Sequence, residues 1–351
     1  MTNNPMGTDG FAFVEFSAID AKPLEVLFSQ MGFNAVAKHP SQNVTLFKQG
    51  DIEFVLNAEP NSFAESFTKA HGPAACGMGF RVKDANSAYA RAVENGAKPY
   101  EGSTDHIGKD VKAIYGIGDS LLYFIDVYGD KTIFDDHFTP ITDRPKVAGV
   151  GLQLIDHLTH NVFQGQMDKW AEYYEKLFNF REIRFFDIKG KQTGLVSRAM
   201  TSACDKIKIP LNESKDDKSQ IAEYLKEYNG EGIQHIALTT ENIYDTIEKM
   251  RSNEVSFMDT PNTYYELIKE RLPEHHEDVN RMQENRILID GGPKQGGGLL
   301  LQIFTNTVIG PIFFEIIQRK GNEGFGEGNF QALFDSIELD QVRRGVLEEE
   351  K

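Results

Sequence analysis

The amino-acid sequence predicts an α+β fold in which one βαβββ module is used four times, the modules pairing into two half-barrels, with a helix closing the second. Three observations carry that reading. A glycine followed by an alternating apolar strand opens a segment at Gly10 (GFAFVEFSAID), Gly77 (GMGFRVKDANS), Gly151 (GLQLIDHLTHN) and Gly232 (GIQHIALTTEN). The intervals, roughly 70 to 80 residues, are the self-similarity that marks repeated structural units. Each opening is followed by a helical pattern and then by strand-like runs broken by turn residues.

The helices are predicted over 23–31, 85–95, 167–179 and 243–253. The third has the clearest stripe: Met167, Trp170, Tyr174, Leu177 and Phe178 fall on one face at helical spacing. Gly32, Gly96, Asn179 and Asn253 stand where a helix ends in the left-handed conformation. The following strands are predicted over 43–48 and 52–56, then 113–115 and 121–128, then 180–187, 194–200 and 206–211, and finally 286–289, 299–305 and 312–318. Residues 1–146 then form an amino-terminal pair of modules and 147–351 a carboxy-terminal pair, each a curved sheet with a cleft on its concave side.

Composition narrows the function. The chain has 351 residues, 40% of them hydrophobic, and a formal charge of −16. That charge repels phosphate backbones and anionic lipid, so neither nucleic acid nor membrane is the expected partner, and a small molecule is. Two cysteines, Cys76 and Cys204, are too few for a disulfide framework, which fits a reducing cytoplasm. The opening MTNNPMGTDG lacks a signal-peptide pattern, and no apolar run approaches the ~20 residues that span a bilayer.

The chemistry concentrates in residues 298–320, two apolar strands with one carboxylate, Glu315, between Phe313, Phe314, Ile316 and Ile317. A half-buried carboxylate needs a cation or a proton. With His157 and His235, each in an opening strand, Glu315 makes the two-histidine, one-carboxylate set that holds non-haem Fe(II). His160, three residues from His157, points to the other face of a strand and reads as a surface or supporting residue. His39, His71, His106, His137, His275 and His276 lie in polar sequence and read as solvated. Aligning the openings sets His157 opposite Glu15, His235 opposite Phe80 and Glu315 opposite Phe124, so only the second half keeps the set. Phe313 and Ile317 share the face of Glu315, and Gln302 shares that of Phe304; Ser197 and Asn212 are further polar interruptions of apolar strands, with Pro210 on the face of Asn212. Such a cavity suits a planar ring bearing a hydroxyl group.

The segments IDHLTHNV, GIQHIAL, LLLQIFT, FFEIIQR and GFGEGNFQALFDSIE, in this order and spacing, resemble the 4-hydroxyphenylpyruvate dioxygenase family, two-domain members of the vicinal oxygen chelate fold. The resemblance is strongest from Gly151 to Glu338. It implies one Fe(II) per subunit on His157, His235 and Glu315, with no catalytic residue beyond these ligands. It implies substrate contacts from Ser197, Asn212, Gln220, Gln234, Gln302 and Asn329, and an aromatic lining from Phe304, Phe313, Phe330 and Phe334. Gln234 is the awkward member, because in an ideal strand it points away from its neighbour His235 unless a bulge or a hydrogen-bond chain links it to the site. The implied reaction takes 4-hydroxyphenylpyruvate and O2 to homogentisate and CO2 in tyrosine and phenylalanine catabolism, in a homodimer or homotetramer assembled through the amino-terminal half. Asn329 is expected to cap a helix over 329–338 whose Phe330, Leu333, Phe334 and Ile337 form one apolar face, and whose family counterpart is a lid.

Three rivals remain. 4-Hydroxymandelate synthase resembles the same family and uses the same substrate; Ser197 with Pro210 and Asn212 favours the ring-attacking enzyme. An extradiol catechol dioxygenase shares the ligand set but calls for a further acid/base histidine. A ligand-sequestering protein of this fold would need no metal.

Overall fold

The computed structural model describes residues 3–143, 146–189, 194–293 and 297–343. Module one is β1 (Phe11–Ser17), α1 (Lys22–Gln30), β2 (Asn34–Lys38), β3 (Val44–Gln49) and β4 (Ile52–Asn57), followed by the connecting helix α2 (Phe63–His71). Module two is β5 (Ala74–Arg81), α3 (Ala85–Glu94), β6 (Lys112–Tyr115) and β7 (Leu121–Ile125), and the short β8 (Thr139–Pro140) follows it. Module three is β9 (Leu152–Val162), α4 (Met167–Phe178), β10 (Arg181–Lys189), β11 (Gly194–Thr201) and β12 (Lys208–Ser214), with α5 (Gln220–Glu227) after it. Module four is β13 (Gly232–Thr240), α6 (Ile243–Ser252), α7 (Asn262–Arg271), α8 (Val279–Asn285), β14 (Leu288–Gly291), β15 (Leu299–Phe304) and β16 (Phe313–Lys320), and α9 (Glu327–Arg343) ends the described chain.

The strands form two curled sheets, ordered β6-β7-β5-β1-β4-β3-β2-β8 and β10-β11-β12-β9-β13-β16-β15-β14. In every module the last strand returns beside the first in parallel, as β4 does to β1 and β16 to β13. The two first strands of each pair then join antiparallel, β1 with β5 and β9 with β13. Module two is the exception to the repeat. The place that β14 fills in module four is held there by an isolated bridge from Pro99 to Ile114, as suits proline at a sheet edge.

The helices cover the outer faces of both sheets, and the core there runs through both halves. Phe314 of β16 packs against Phe16 and Phe54 at ring separations of 6.3 and 5.9 Å, and Phe80 meets Phe178 and Phe180. At Gly118 (φ +55) the two halves approach so closely that an added Cβ would stand 1.9 Å from the Glu231 carbonyl oxygen. Asn179 ends α4 in the left-handed conformation as expected, but Asn253 does not, with φ −90; the left-handed residue there is Glu254.

The hollow of the first sheet is filled by Phe13, Leu46, Val55, Tyr123, Phe134 and other apolar residues around a buried polar network. Glu15 accepts from Asn57 Nδ2 (2.8 Å) and Tyr123 Oη (2.6 Å) and pairs with His106 Nε2 (3.0 Å). His106 is therefore buried, against the expectation of a solvated residue. The repeat alignment also needs correcting. Glu15 does point into its hollow, as His157 does into the other, but Phe80 and Phe124 lie in the outer core against Phe178. The inward positions are Gly79, whose Cβ would meet the Phe13 ring, and Tyr123. A register one residue off transfers every side chain to the other face, and β1 and β5 slip in register at two points.

This network sets a pH dependence. Burial alone would lower the pKa of His106, but Glu15 outweighs it and raises it above 6.5; burial would raise that of Glu15, but His106, Tyr123 and Asn57 hold it below 4.5. A raised histidine stabilises the fold fully below its unfolded value and loses that contribution as pH rises through its folded pKa. A lowered carboxylate stabilises fully above its unfolded value and fades as pH falls. We expect the stability lost on His106→Gln to be largest between about pH 4.5 and 6.5 and to shrink on both sides, by urea denaturation across pH 4–9. A difference flat across that range would show that no charge pair forms. Separately, Phe314→Ala, which empties the seam between the halves, is expected to cost about 3–5 kcal/mol in the same measurement.

Candidate metal centre

His157, His235 and Glu315 stand on β9, β13 and β16, which are adjacent at the centre of the second sheet, with the donors facing its hollow. Their nearest donor atoms lie within 4.8 Å of one another. His157 Nε2 is 3.2 Å and His235 Nε2 3.4 Å from the same oxygen, Glu315 Oε2. Donors about 2.1 Å from one octahedral ion stand about 3 Å apart, so the set is spaced for a single metal. Ala237 pairs in register with both His157 and Glu315 and keeps the space between them small.

Both imidazoles are aimed by the residue before them in sequence. His157 Nδ1 is 2.7 Å from Asp156 Oδ1, and His235 Nδ1 is 2.9 Å from Gln234 Oε1. A carboxylate and an amide oxygen only accept, so each Nδ1 carries the proton and each Nε2 presents a lone pair to the centre. Neighbours on an ideal strand could not do this, but both supporting residues are extra residues in the β9–β13 ladder. Pairing jumps from Ala237↔His157 to Leu238↔Ile155 and from Ile233↔His160 to His235↔Thr159, which leaves Asp156 and Gln234 unpaired at bulges. Asp156 is held in turn by Arg319, whose Nε and Nη2 fork onto its two oxygens at 2.8 and 2.7 Å.

Burial would raise the Glu315 pKa, but the two imidazoles beside it hold it down to about 2. Burial lowers that of His235, and Glu315 only partly offsets it. For His157 burial is outweighed by Asp156 and Glu315 together, which raise its pKa. Glu315 Oε1 is buried and finds no hydrogen-bond partner among the described residues. Two lone pairs and a carboxylate converging on one point need a cation, and the donor set fits a divalent metal.

Around this centre the cavity wall is made by Ser197 of β11, Pro210 and Asn212 of β12, Gln302 and Phe304 of β15, and Phe330 of α9. Ser197 and Asn212 are register partners, and Gln302 is buried with Oε1 finding no hydrogen-bond partner among the described residues. Phe313 stands behind the wall with its ring stacked on His235 at 4.9 Å. Three expected contacts lie elsewhere. Gln220 is exposed at the first turn of α5, Gln234 holds His235 and does not line the cavity, and Asn329 is buried with Oδ1 accepting from Tyr264 Oη (2.6 Å). The side chain of Phe334 lies outside the described residues. The wall also includes Thr159, Phe186, Leu195, Phe325 and Glu327, which the sequence reading had not singled out. Asp156 and Arg319 were missed as well, and an acid directly before a ligand histidine was the available signal.

The terminal helix departs from expectation in two ways. It begins at Glu327, so Asn329 lies inside it and not at its cap. Its protein-facing side includes Asn329, Ala332 and Ser336, while Phe330 and Ile337 are 41% and 42% exposed. His160 is fully buried, with Nε2 2.7 Å from Tyr174 Oη on the outer face.

Curled sheets of repeated modules with such a centre define the glyoxalase, bleomycin resistance protein and dioxygenase superfamily, whose profile matches residues 154–268. The profile described as hydroxyphenylpyruvate dioxygenase, N-terminal, matches residues 2–139. The chain is 59% identical to Hemolysin VllY of Vibrio vulnificus and 58% identical to 4-hydroxyphenylpyruvate dioxygenase of Pseudomonas aeruginosa, in each case over 98% of both chains. It is 57% identical to the enzyme of that name from Legionella pneumophila over 99% of both. A solved mutant of 4-hydroxymandelate synthase from Streptomyces coelicolor shares the fold, with a TM-score of 0.81, 23% identity, and coverage of 96% of this chain and all of that one. The chain belongs to the hydroxyphenylpyruvate dioxygenase family. Among the described residues no helix is long and apolar enough to cross a membrane.

Removing Gln234 Oε1 frees the His235 ring to turn. Gln234→Leu is expected to weaken metal binding about 10- to 100-fold by calorimetric titration, with the fold unchanged by circular dichroism. Unchanged affinity would show that the hydrogen bond does not aim the ring.

Proposed function

We propose that the chain is an Fe(II)-dependent 4-hydroxyphenylpyruvate dioxygenase, taking 4-hydroxyphenylpyruvate and O2 to homogentisate and CO2. The observation that carries this is the convergence of two Nε2 lone pairs and the Glu315 carboxylate inside an aromatic-walled cavity. The similarity to proteins named for this activity, over nearly the whole chain, supports it. His157, His235 and Glu315 hold the iron, which when bound supplies the redox chemistry of dioxygen and the coordination positions for a 2-oxo acid.

The remaining work falls to the chain. Phe304, Phe325 and Phe330 enclose the aromatic ring, and Ser197, Asn212 and Gln302 offer hydrogen bonds to its hydroxyl and fix its orientation. The segment from Gly321 into α9 covers the cavity and keeps water from it. The substrate carries its own 2-oxo acid, so 2-oxoglutarate is not needed. Residues 147–351 form the catalytic half, and residues 1–146 supply packing and the subunit interface of a dimer or tetramer. A reducing cytoplasm suits ferrous iron.

Purified protein with ferrous iron and ascorbate should consume oxygen on addition of 4-hydroxyphenylpyruvate and release homogentisate, identified by chromatography and mass. 4-Hydroxymandelate as the product would assign the rival side-chain reaction, and no turnover with no bound metal would leave a ligand-sequestering protein. His157→Ala and Glu315→Ala should each abolish turnover and iron retention; full activity in either would remove that residue from the ligand set.

A further inference from the structure

One guanidinium touches both the metal centre and the segment that covers it. Arg319 lies on β16 four residues beyond Glu315, on the same face of the strand, with a largely buried side chain. Two of its N–H groups fork onto Asp156, which holds His157. Nη1 donates instead to the Asn322 carbonyl (3.0 Å) and the Gly324 carbonyl (2.7 Å) in the loop leading to α9. That loop carries Phe325, whose ring stands 5.3 Å from the His157 ring and 5.9 Å from the Arg319 guanidinium carbon. Four hydrogen bonds from one planar group thus fix the imidazole from one side and the loop from the other.

We propose that Arg319 is a positioning residue that couples the covering loop, residues 321–326, to the metal-binding geometry of His157, so that filling the centre orders the loop. The coupling is reciprocal: an ordered loop holds the guanidinium where it fixes Asp156, and a fixed Asp156 holds His157 in its metal-binding orientation. Lysine cannot reproduce it, because an ammonium lacks the fork that spans a carboxylate and two carbonyls. The inference rests on the reading of His157, His235 and Glu315 as metal ligands.

The test is amide hydrogen exchange of residues 321–330 in the full chain, without metal and with Fe(II) under anaerobic conditions, in wild type and in Arg319→Lys. In wild type, Fe(II) should slow exchange of these amides about 10-fold or more, and in Arg319→Lys it should bind with little further protection of the loop. Asp156→Asn, which keeps the shape but weakens the link, should fall between the two and serves if the lysine variant does not fold. Wild-type protein that binds Fe(II) with no change in loop exchange overturns the coupling and leaves the metal reading standing. Arg319→Lys showing the full wild-type response also overturns it. Failure of wild type to bind Fe(II) at all removes the metal reading and this inference with it. A kinetic counterpart separates positioning from general damage: kcat should fall more than KM rises in Arg319→Lys, and a purely structural loss would change the amount of folded enzyme without that split.

Discussion

The fold is organised around a buried carboxylate that faces two imidazole lone pairs. Glu315 is 2% exposed, between Phe313 and Phe314 on one side in sequence and Ile316 and Ile317 on the other. Burying an ion costs several kcal/mol unless geometry and hydrogen bonds offset it, and here one oxygen finds no partner among the described residues. Asp156 and Gln234 commit the Nδ1 protons, so the imidazoles cannot satisfy Glu315 as neutral donors. Burial lowers the His157 pKa, and Asp156 and Glu315 together outweigh it and raise it. With metal, the lone pairs and the carboxylate are satisfied together. The arrangement is a poor solution for a core and a good one for a cation.

The other sheet shows what the same scaffold does when its hollow is packed. There the inward carboxylate, Glu15, is saturated by Asn57, Tyr123 and His106, and apolar side chains fill the remaining space. The difference between the two hollows lies in a few side chains, since both sheets are closed by the same strand order. In the first hollow Tyr123 reaches across to satisfy its carboxylate, whereas in the second β13 sets His235 and the small Ala237 beside Glu315 of β16.

Much of this was legible before the structure. The glycine-led openings located all four modules, and the apolar surroundings of Glu315 marked it as a group needing a partner. Strand alternation then failed at the two places where it mattered most. Asp156 carried no signal and Gln234 looked turned away from its neighbour because alternation assumes an unbroken ladder, and a bulge is decided by how two strands pair, not by either sequence alone. Slips between β1 and β5 likewise put Phe80 in the wrong register. His106 looked solvated because its polar neighbours are close in sequence, whereas its partner Glu15 is 91 positions away. The start of α9 was misjudged because Asn329 has the chemistry of a cap, yet its amide is taken by Tyr264.

The placement of the covering segment explains how one strand serves two needs. β16 is held on both sides, by β13 and β15, so Glu315 sits in the most constrained part of the sheet. Immediately beyond it the chain passes through Gly321 and Gly326, both with positive φ, and is tied down by a handful of bonds, among them Asp290 to the Gly328 amide and Lys208 to Glu323. Gly326 also approaches Gln302 so closely that a Cβ would fall 1.9 Å from its amide oxygen, so the loop closes directly against a cavity residue. The two positive-φ glycines let the chain turn back over the cavity between these anchors. The segment starts directly after the strand that carries both Glu315 and Arg319, and through Arg319 its placement is tied to that of Asp156 and His157.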